Sequence, residues 1–202
     1  GWDTDPYEPV IKDGKLYAVG LQGNLYTLNP NNGEASFLRK LIADPSDTTD
    51  GNASFTQIMG DDNLITVNFN PAADRLRVIS NTGQNLRINV DTGATITDGT
   101  INLATGTAAV VAGAYTNAFA GTGSTKLYSI DQNSDRIYLQ NANAGTLGNS
   151  TALGADINTN GGGGFDIDPV SNVGFAALKL ASGNYKFFKL NLANVGTSND
   201  AV

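Results

Sequence analysis

Apolar residues in this 202-residue chain rarely recur at helical spacing. They fall in short runs, many of them β-branched or alternating with polar residues, and Gly, Pro, Asn or Asp interrupts them every several positions. The pattern predicts an all-β protein. Lys15-Leu16-Tyr17-Ala18-Val19 and Leu25-Tyr26-Thr27-Leu28 read as two strands joined by the loop Leu21-Gln22-Gly23-Asn24, and Pro30-Asn31-Asn32-Gly33 as the turn that follows.

The same order returns at Arg75-Leu76-Arg77-Val78-Ile79, the loop Ser80-Asn81-Thr82-Gly83, the strand Gln84 to Asn89 and the turn Val90-Asp91-Thr92-Gly93. In both copies a strand residue follows the loop glycine by five positions (Gly23 to Leu28, Gly83 to Ile88), and a turn glycine follows five later. Lys126 to Asp131 and Lys186 to Asn191 are looser copies. Aligning Leu28, Ile88, Ile130 and Leu190 gives separations of about 60, 42 and 60 residues, the range of propeller blades with variable loops.

A second element recurs as apolar-x-apolar-x-Pro, at Val67-Asn68-Phe69-Asn70-Pro71 and Phe165-Asp166-Ile167-Asp168-Pro169. Trp2-Asp3-Thr4-Asp5-Pro6 resembles it, and Ala112 to Tyr115 is the corresponding strand of the third unit. Each reads as an inner strand whose Pro ends the ladder where a lost N–H costs little. The expectation is a single repeat domain, a β-propeller-like array of about four four-stranded antiparallel blades near residues 1–60, 61–107, 108–160 and 161–202. A β-sandwich or β-solenoid is the rival packing of the same strands. Asp44 to Gly60 and Asn141 to Gly164 read as loops.

Composition narrows the function. There is no Cys, which removes disulfides, thiol nucleophiles and Cys-based zinc sites, and no His, the usual general base and metal ligand. No cofactor is expected. With 12 basic and 19 acidic residues the formal charge is −7, a field that repels nucleic acid and anionic lipid. Only 15% of residues are charged, and neutral polar residues with 24 Gly supply the rest of the polarity, as in strand-and-turn proteins outside the cytoplasm. Apolar stretches such as Ala108 to Ala114 fall far short of the roughly 20 residues of a membrane helix. Gly1 reads as the start of a processed chain.

The run from Asn68-Phe69-Asn70-Pro71 through Asp74-Arg75-Leu76-Arg77-Val78-Ile79-Ser80-Asn81-Thr82-Gly83 to Val90-Asp91-Thr92-Gly93 resembles the secreted bacterial proteins grouped as DUF4394. Ala114-Tyr115-Thr116-Asn117, Leu127 to Asp131, Gln140-Asn141 and Gly163 to Ile167 extend the resemblance over most of the chain. It implies a propeller-type fold and an exported location, and carries no catalytic or binding residues. Family members usually begin with another hairpin and close with a further apolar strand; this chain departs from that at both ends, so the expectation is either a closed four-bladed ring or an open array whose strand edges are templates for pairing.

Several residues could carry chemistry. Arg75, Arg77 and Arg87 place a quarter of the basic residues in one unit; they either grip a carboxylate or acidic glycan through bidentate contacts, or pair with Asp74 and Asp91 between blades. Asp44, Asp47 and Asp50, followed by Gly51, could supply oxygens to a hard cation, although the alternate spacing and distant Glu of an EF-hand are missing; otherwise they line a solvated acidic loop. Tyr17, Tyr26, Tyr115, Tyr128, Tyr138 and Tyr185 either stack on sugars from one rim or pack across strands. Asn52 and Asn149 head glycosylation acceptor sequences, both expected in loops.

The reading is a non-enzymatic, secreted structural or surface protein that associates with itself or with another surface protein. A glycan- or small-ligand-binding propeller is the alternative, and a hydrolase using two carboxylates the third.

Overall fold

A computed structural model describes residues 10–47, 54–60, 64–158 and 163–196. Among them the regular structure is sixteen β-strands and one 3-10 turn, Leu192–Asn194. The first sheet is the meander β1 (Val10–Lys12), β2 (Lys15–Val19), β3 (Asn24–Leu28) and β4 (Ala35–Lys40). After β5 (Ile42–Ala43) come β6 (Ile65–Asn70), β7 (Arg75–Ser80), β8 (Asn85–Ile88) and β9 (Ala94–Thr97); these four form the second meander, with β5 parallel to β9 at its outer edge. The third sheet is β10 (Val110–Tyr115), β11 (Leu127–Asp131), β12 (Arg136–Gln140) and β13 (Leu147–Ala152). The fourth has three strands, β14 (Gly163–Ile167), β15 (Val173–Lys179) and β16 (Tyr185–Asn191).

The turns explain why the sequence repeats. At 29–33, 70–74, 89–93, 131–135, 141–145 and 168–172 an Asn or Asp side chain accepts a backbone N–H two or three residues ahead. The fifth residue of each turn has positive φ: Gly33, Asp74, Gly93, Asp135, Gly145 and Asn172. Asn and Asp suit the first position because a short side chain can mimic a backbone acceptor, and Gly, Asn and Asp suit the last because they tolerate left-handed backbone. Three of these turns begin with Asn-Pro or Asp-Pro (Asn29-Pro30, Asn70-Pro71 and Asp168-Pro169), with Pro presetting φ at the second position.

Side-chain alternation gives each sheet two faces, and apolar faces of successive sheets meet. One cluster, with Tyr17, Leu25, Val67 and Leu86, fills the space between the first and second sheets. Another, with Ile79, Val110, Tyr115 and Leu127, joins the second to the third. The largest, with Ala112, Ile130, Phe165, Leu178 and Leu190, joins the third to the fourth. The first strands lie in series: β1 beside β6, β6 beside β10, β10 beside β14. Among the described residues no apolar cluster joins the fourth sheet back to the first.

Matching turns also tie the sheets together. Lys12 of the first sheet sits 2.7 Å from Asp13 and 3.2 Å from Asp74 of the second. In the corresponding turns of the third and fourth sheets, Asn117 N donates to Asn172 Oδ1 at 3.0 Å and Asn172 Nδ2 donates to Asn117 Oδ1 at 2.9 Å.

The all-β expectation holds, with four corrections of detail. Leu127–Asp131 pairs with β10 and is the second strand of its sheet, whereas Leu28, Ile88 and Leu190 lie in third strands. Its equivalent is Ile137, opposite Ile130 as Leu28 is opposite Leu16, which evens the separations to about 60, 49 and 53 residues. The strand paired with β2 is Val10–Lys12, and Trp2 to Pro6 lies outside the described residues. Asn141 to Gly164 contains β13, a strand hidden in the sequence by its Gly, Asn, Ser and Thr content. Finally, β5 leaves the first unit to pair with the second.

Candidate functional site

Arg77 and Arg87 stand directly opposite one another on β7 and β8. Like charges in that register repel, and Asp98, just past β9, resolves the conflict. Arg77 Nη1 lies 2.6 Å from Asp98 Oδ2, and Arg87 makes a two-point contact through Nε and Nη2, both at 2.9 Å. The rest of the Arg77 guanidinium donates to Asn85 Oδ1 at 2.9 Å, Tyr115 Oη at 3.2 Å and Asn143 Oδ1 at 2.9 Å. Arg77 is 2% exposed, so this polar knot is sealed between the second and third sheets. Asn85 completes it by donating to the carbonyls of Gly99 and Ala142.

Of the three arginines read from the sequence, the fold therefore brings two together. Arg75 stays at the end of β7 and donates to the carbonyl of Asp74 at 2.8 Å. The expected acidic partners are corrected: Asp74 pairs with Lys12, Asp91 sits in the β8–β9 turn with its N–H on Asn89, and Asp98 takes both guanidinium groups. Alternation along β7 puts Arg75 and Arg77 on one face, whereas the pair the fold joins, Arg77 and Arg87, is set by the register of β7 against β8. Nothing in the sequence signalled Asp98, because its role depends on β9 returning beside β8.

The acidic loop divides in the same way. Asp44 Oδ1 accepts the N–H and hydroxyl of Ser46 at 2.8 and 2.6 Å, bonds that hold its carboxyl below the usual carboxylate range. Asp47 is buried, accepting Phe55 N at 2.7 Å and Thr97 N at 2.8 Å, so it pins the loop to the second sheet. Asp50 lies outside the described residues, and these contain no group of three or more His, Cys, Asp or Glu placed to hold a metal. Replacing Asp47 with Ala strands two N–H donors and is expected to cost about 1–3 kcal/mol in urea denaturation. The loss should be the same with and without calcium.

Of the tyrosines, 17, 26, 115, 128 and 138 are buried, where they pack between strands and sheets, and Tyr185 is exposed. Tyr17 meets the edge of Phe69 with ring centres 5.6 Å apart. Asn149 lies within β13 rather than in a loop, and is exposed, while Thr151 of its acceptor sequence is buried and donates to the carbonyl of Asn194 at 3.1 Å. Asn52 lies outside the described residues.

The space between the fourth sheet and the first two is the other notable surface. A groove of about 660 Å³ is walled by Leu16 and Phe69 on one side and by Phe165, Phe175 and Phe187 on the other. Phe175 and Phe187 stack at 5.9 Å on the face of the fourth sheet that no cluster covers. Phe187 is 68% exposed; at the first sheet Phe37 is 61% exposed.

The profile of the family described as "Domain of unknown function (DUF4394)" matches residues 9–200. The chain belongs to that family. No curated protein matches this DUF4394 domain by sequence. Among solved structures it is similar to a glutaminyl cyclase from Myxococcus xanthus, with 13% identity, a TM-score of 0.54, and coverage of 92% of this chain and 74% of that one. It is also similar to an auxiliary nutrient binding protein from Bacteroides ovatus, with 11% identity and a TM-score of 0.48, over 93% of this chain and 42% of that one. At such identities the likeness is one of backbone arrangement alone. No helix among the described residues is long and apolar enough to cross a membrane.

Proposed function

We propose that this DUF4394 domain is a non-enzymatic extracellular structural or surface protein, an open four-bladed β-propeller with blades near 1–60, 61–107, 108–160 and 161–202, which associates with further copies of itself. The stacked pair Phe175 and Phe187, exposed on a three-stranded sheet, carries the reading. A solvent-facing aromatic patch of that kind marks an interaction surface. Beside it β16 pairs with β15 alone among the described residues, and the edge strand of a sheet is a template for pairing.

The two ends of the array differ: the fourth sheet presents Phe175 and Phe187, the first presents Phe37. Contact between unlike ends is heterologous and generates rings or filaments, which suits a structural role. Support for a role outside catalysis comes from the buried carboxylates, since Asp98 is committed to two arginines and Asp47 to backbone amides.

Mass photometry and electron microscopy across a concentration series test this. The wild-type chain is expected to form oligomers or fibres as concentration rises. Phe175→Asp with Phe187→Asp should move the assembly midpoint upward by about tenfold or more, with the far-UV spectrum unchanged. Compact monomers at every concentration would overturn the reading.

A further inference from the structure

We infer that a pocket on one rim of the array is a binding site for a neutral hexopyranose. The rim is made by the connections between the first and second strands of each sheet. In the first, second and fourth sheets these are the short turns 13–14, 71–74 and 168–172, whereas the third sheet has a longer loop, 116–126. Its own hydrogen bonds fasten that loop. Asn117 Nδ2 donates to Ser124 O at 3.0 Å, Thr122 Oγ1 to the same carbonyl at 2.9 Å, and Lys126 N to Thr116 Oγ1 at 2.9 Å. The loop holds Phe119 52% exposed and outside the three apolar clusters, so the ring does not serve to fill the core. Side chains that bind ligands are often presented in this way, on a loop held by a rigid scaffold.

Phe119 borders a pocket of about 540 Å³, within the range of small-molecule sites, between this loop and the turns of the first two sheets. The turns contribute Lys12, Asp13 and Asp74 to its lining. Lys12 Nζ lies 2.7 Å from Asp13 Oδ2 and 3.2 Å from Asp74 Oδ1, which leaves the second oxygen of each carboxylate and the third ammonium N–H for a ligand. All three groups are open to solvent: the side chains of Asp13, Asp74 and Lys12 are 75%, 59% and 16% exposed. Lys12, standing between the carboxylates, repels a metal ion or an organic cation, and the carboxylates repel an anion. Acceptors and a donor side by side instead suit a ligand whose polar groups each donate and accept, and that group is the hydroxyl. Phe119 adds an aromatic face for the apolar C–H face of a pyranose ring.

The site is independent of the self-association proposed above, because its lining contains none of Phe175, Phe187 and Phe37. It can be examined at concentrations where the chain is monomeric, so the two readings fail separately.

The experiment is a titration of the ¹⁵N-labelled chain with the methyl pyranosides of glucose, galactose, mannose and N-acetylglucosamine. It is followed at the backbone amides of Asp74, Ala118, Phe119 and Ala120, with choline and acetate as cationic and anionic probes. Saturable movement of those amides with at least one pyranoside, and with neither charged probe, is the expected result. Phe119→Ala and Asp74→Asn should each weaken binding by about fivefold or more. Both variants keep the fold: Phe119 lies outside the core, and Asn tolerates the left-handed backbone at position 74, where φ is +52°. No saturable movement with any of the four pyranosides up to about 50 mM, an equal response to choline or acetate, or unchanged affinity in Phe119→Ala would overturn the assignment.

Discussion

Asp98→Asn is expected to destabilise the chain by about 3–5 kcal/mol, because it strips the shared counter-ion from two arginines, one of them sealed from water. The change keeps the side-chain size, so lost packing does not explain the effect. Arg87→Met should cost less, since the Arg87 side chain is 30% exposed and water can take up part of what the pair loses. Replacing Arg77, Arg87 and Asp98 together with apolar residues of similar volume should be far milder than Asp98→Asn alone, as no unpaired charge remains. Urea denaturation of the four proteins checks the order. A loss of under about 1 kcal/mol for Asp98→Asn would mean that the knot is hydrated and that Arg77 has other counter-charges.

Gly145→Ala is expected to be comparably severe. Gly145 has φ +73°, a left-handed conformation that costs a side-chain-bearing residue about 1–2 kcal/mol. A Cβ there would also collide with the carbonyl oxygens of Gly99 and Thr100, backbone atoms of the segment that follows β9. Displacing them adds about 1–3 kcal/mol, for a total near 3 kcal/mol and a fall in Tm of about 10 °C for a domain of this size. The collision strikes a clasp, where Asn102 N donates to Gly145 O at 3.0 Å and Gly99 N donates to Asn143 O at 2.8 Å. Gly106→Ala is the control: its φ is +86° but nothing lies within 4 Å, so backbone strain alone should appear, about 1–2 kcal/mol by thermal unfolding.

These two positions also mark how far the sequence could be read. The strands of the first two units were legible because alternation and turn chemistry are local: Lys15–Val19 and the β7–β8 pair fall where the pattern puts them. Gly33 and Gly93 were legible for the same reason, and both have positive φ. The third unit misled because the Asp131 to Asp135 turn lies between β11 and β12, an early point in its sheet, while resembling turns that lie later in others. Strand β13 was invisible because its Gly and Asn residues carry no apolar alternation; its place comes from pairing with β12. The arginine knot was half legible. Arg77 and Arg87 were visible, whereas Asp98, Asn143 and Tyr115 reach them from distant parts of the chain. The open groove was visible only as an inference about unpaired ends, since its phenylalanines lie in β6, β14, β15 and β16 and are brought together by the order of the sheets.

The serial packing of the four sheets makes the domain, in energetic terms, close to a one-dimensional lattice: each unit has an intrinsic weight, and each contact couples only nearest neighbours. Among the described residues, the second and third units are held by two couplings and the first and fourth by one. Partial unfolding is then cheapest from the ends inward, and any partner that bridges the fourth sheet to the first converts a linear lattice into a circular one, raising cooperativity without changing a single residue in the interior.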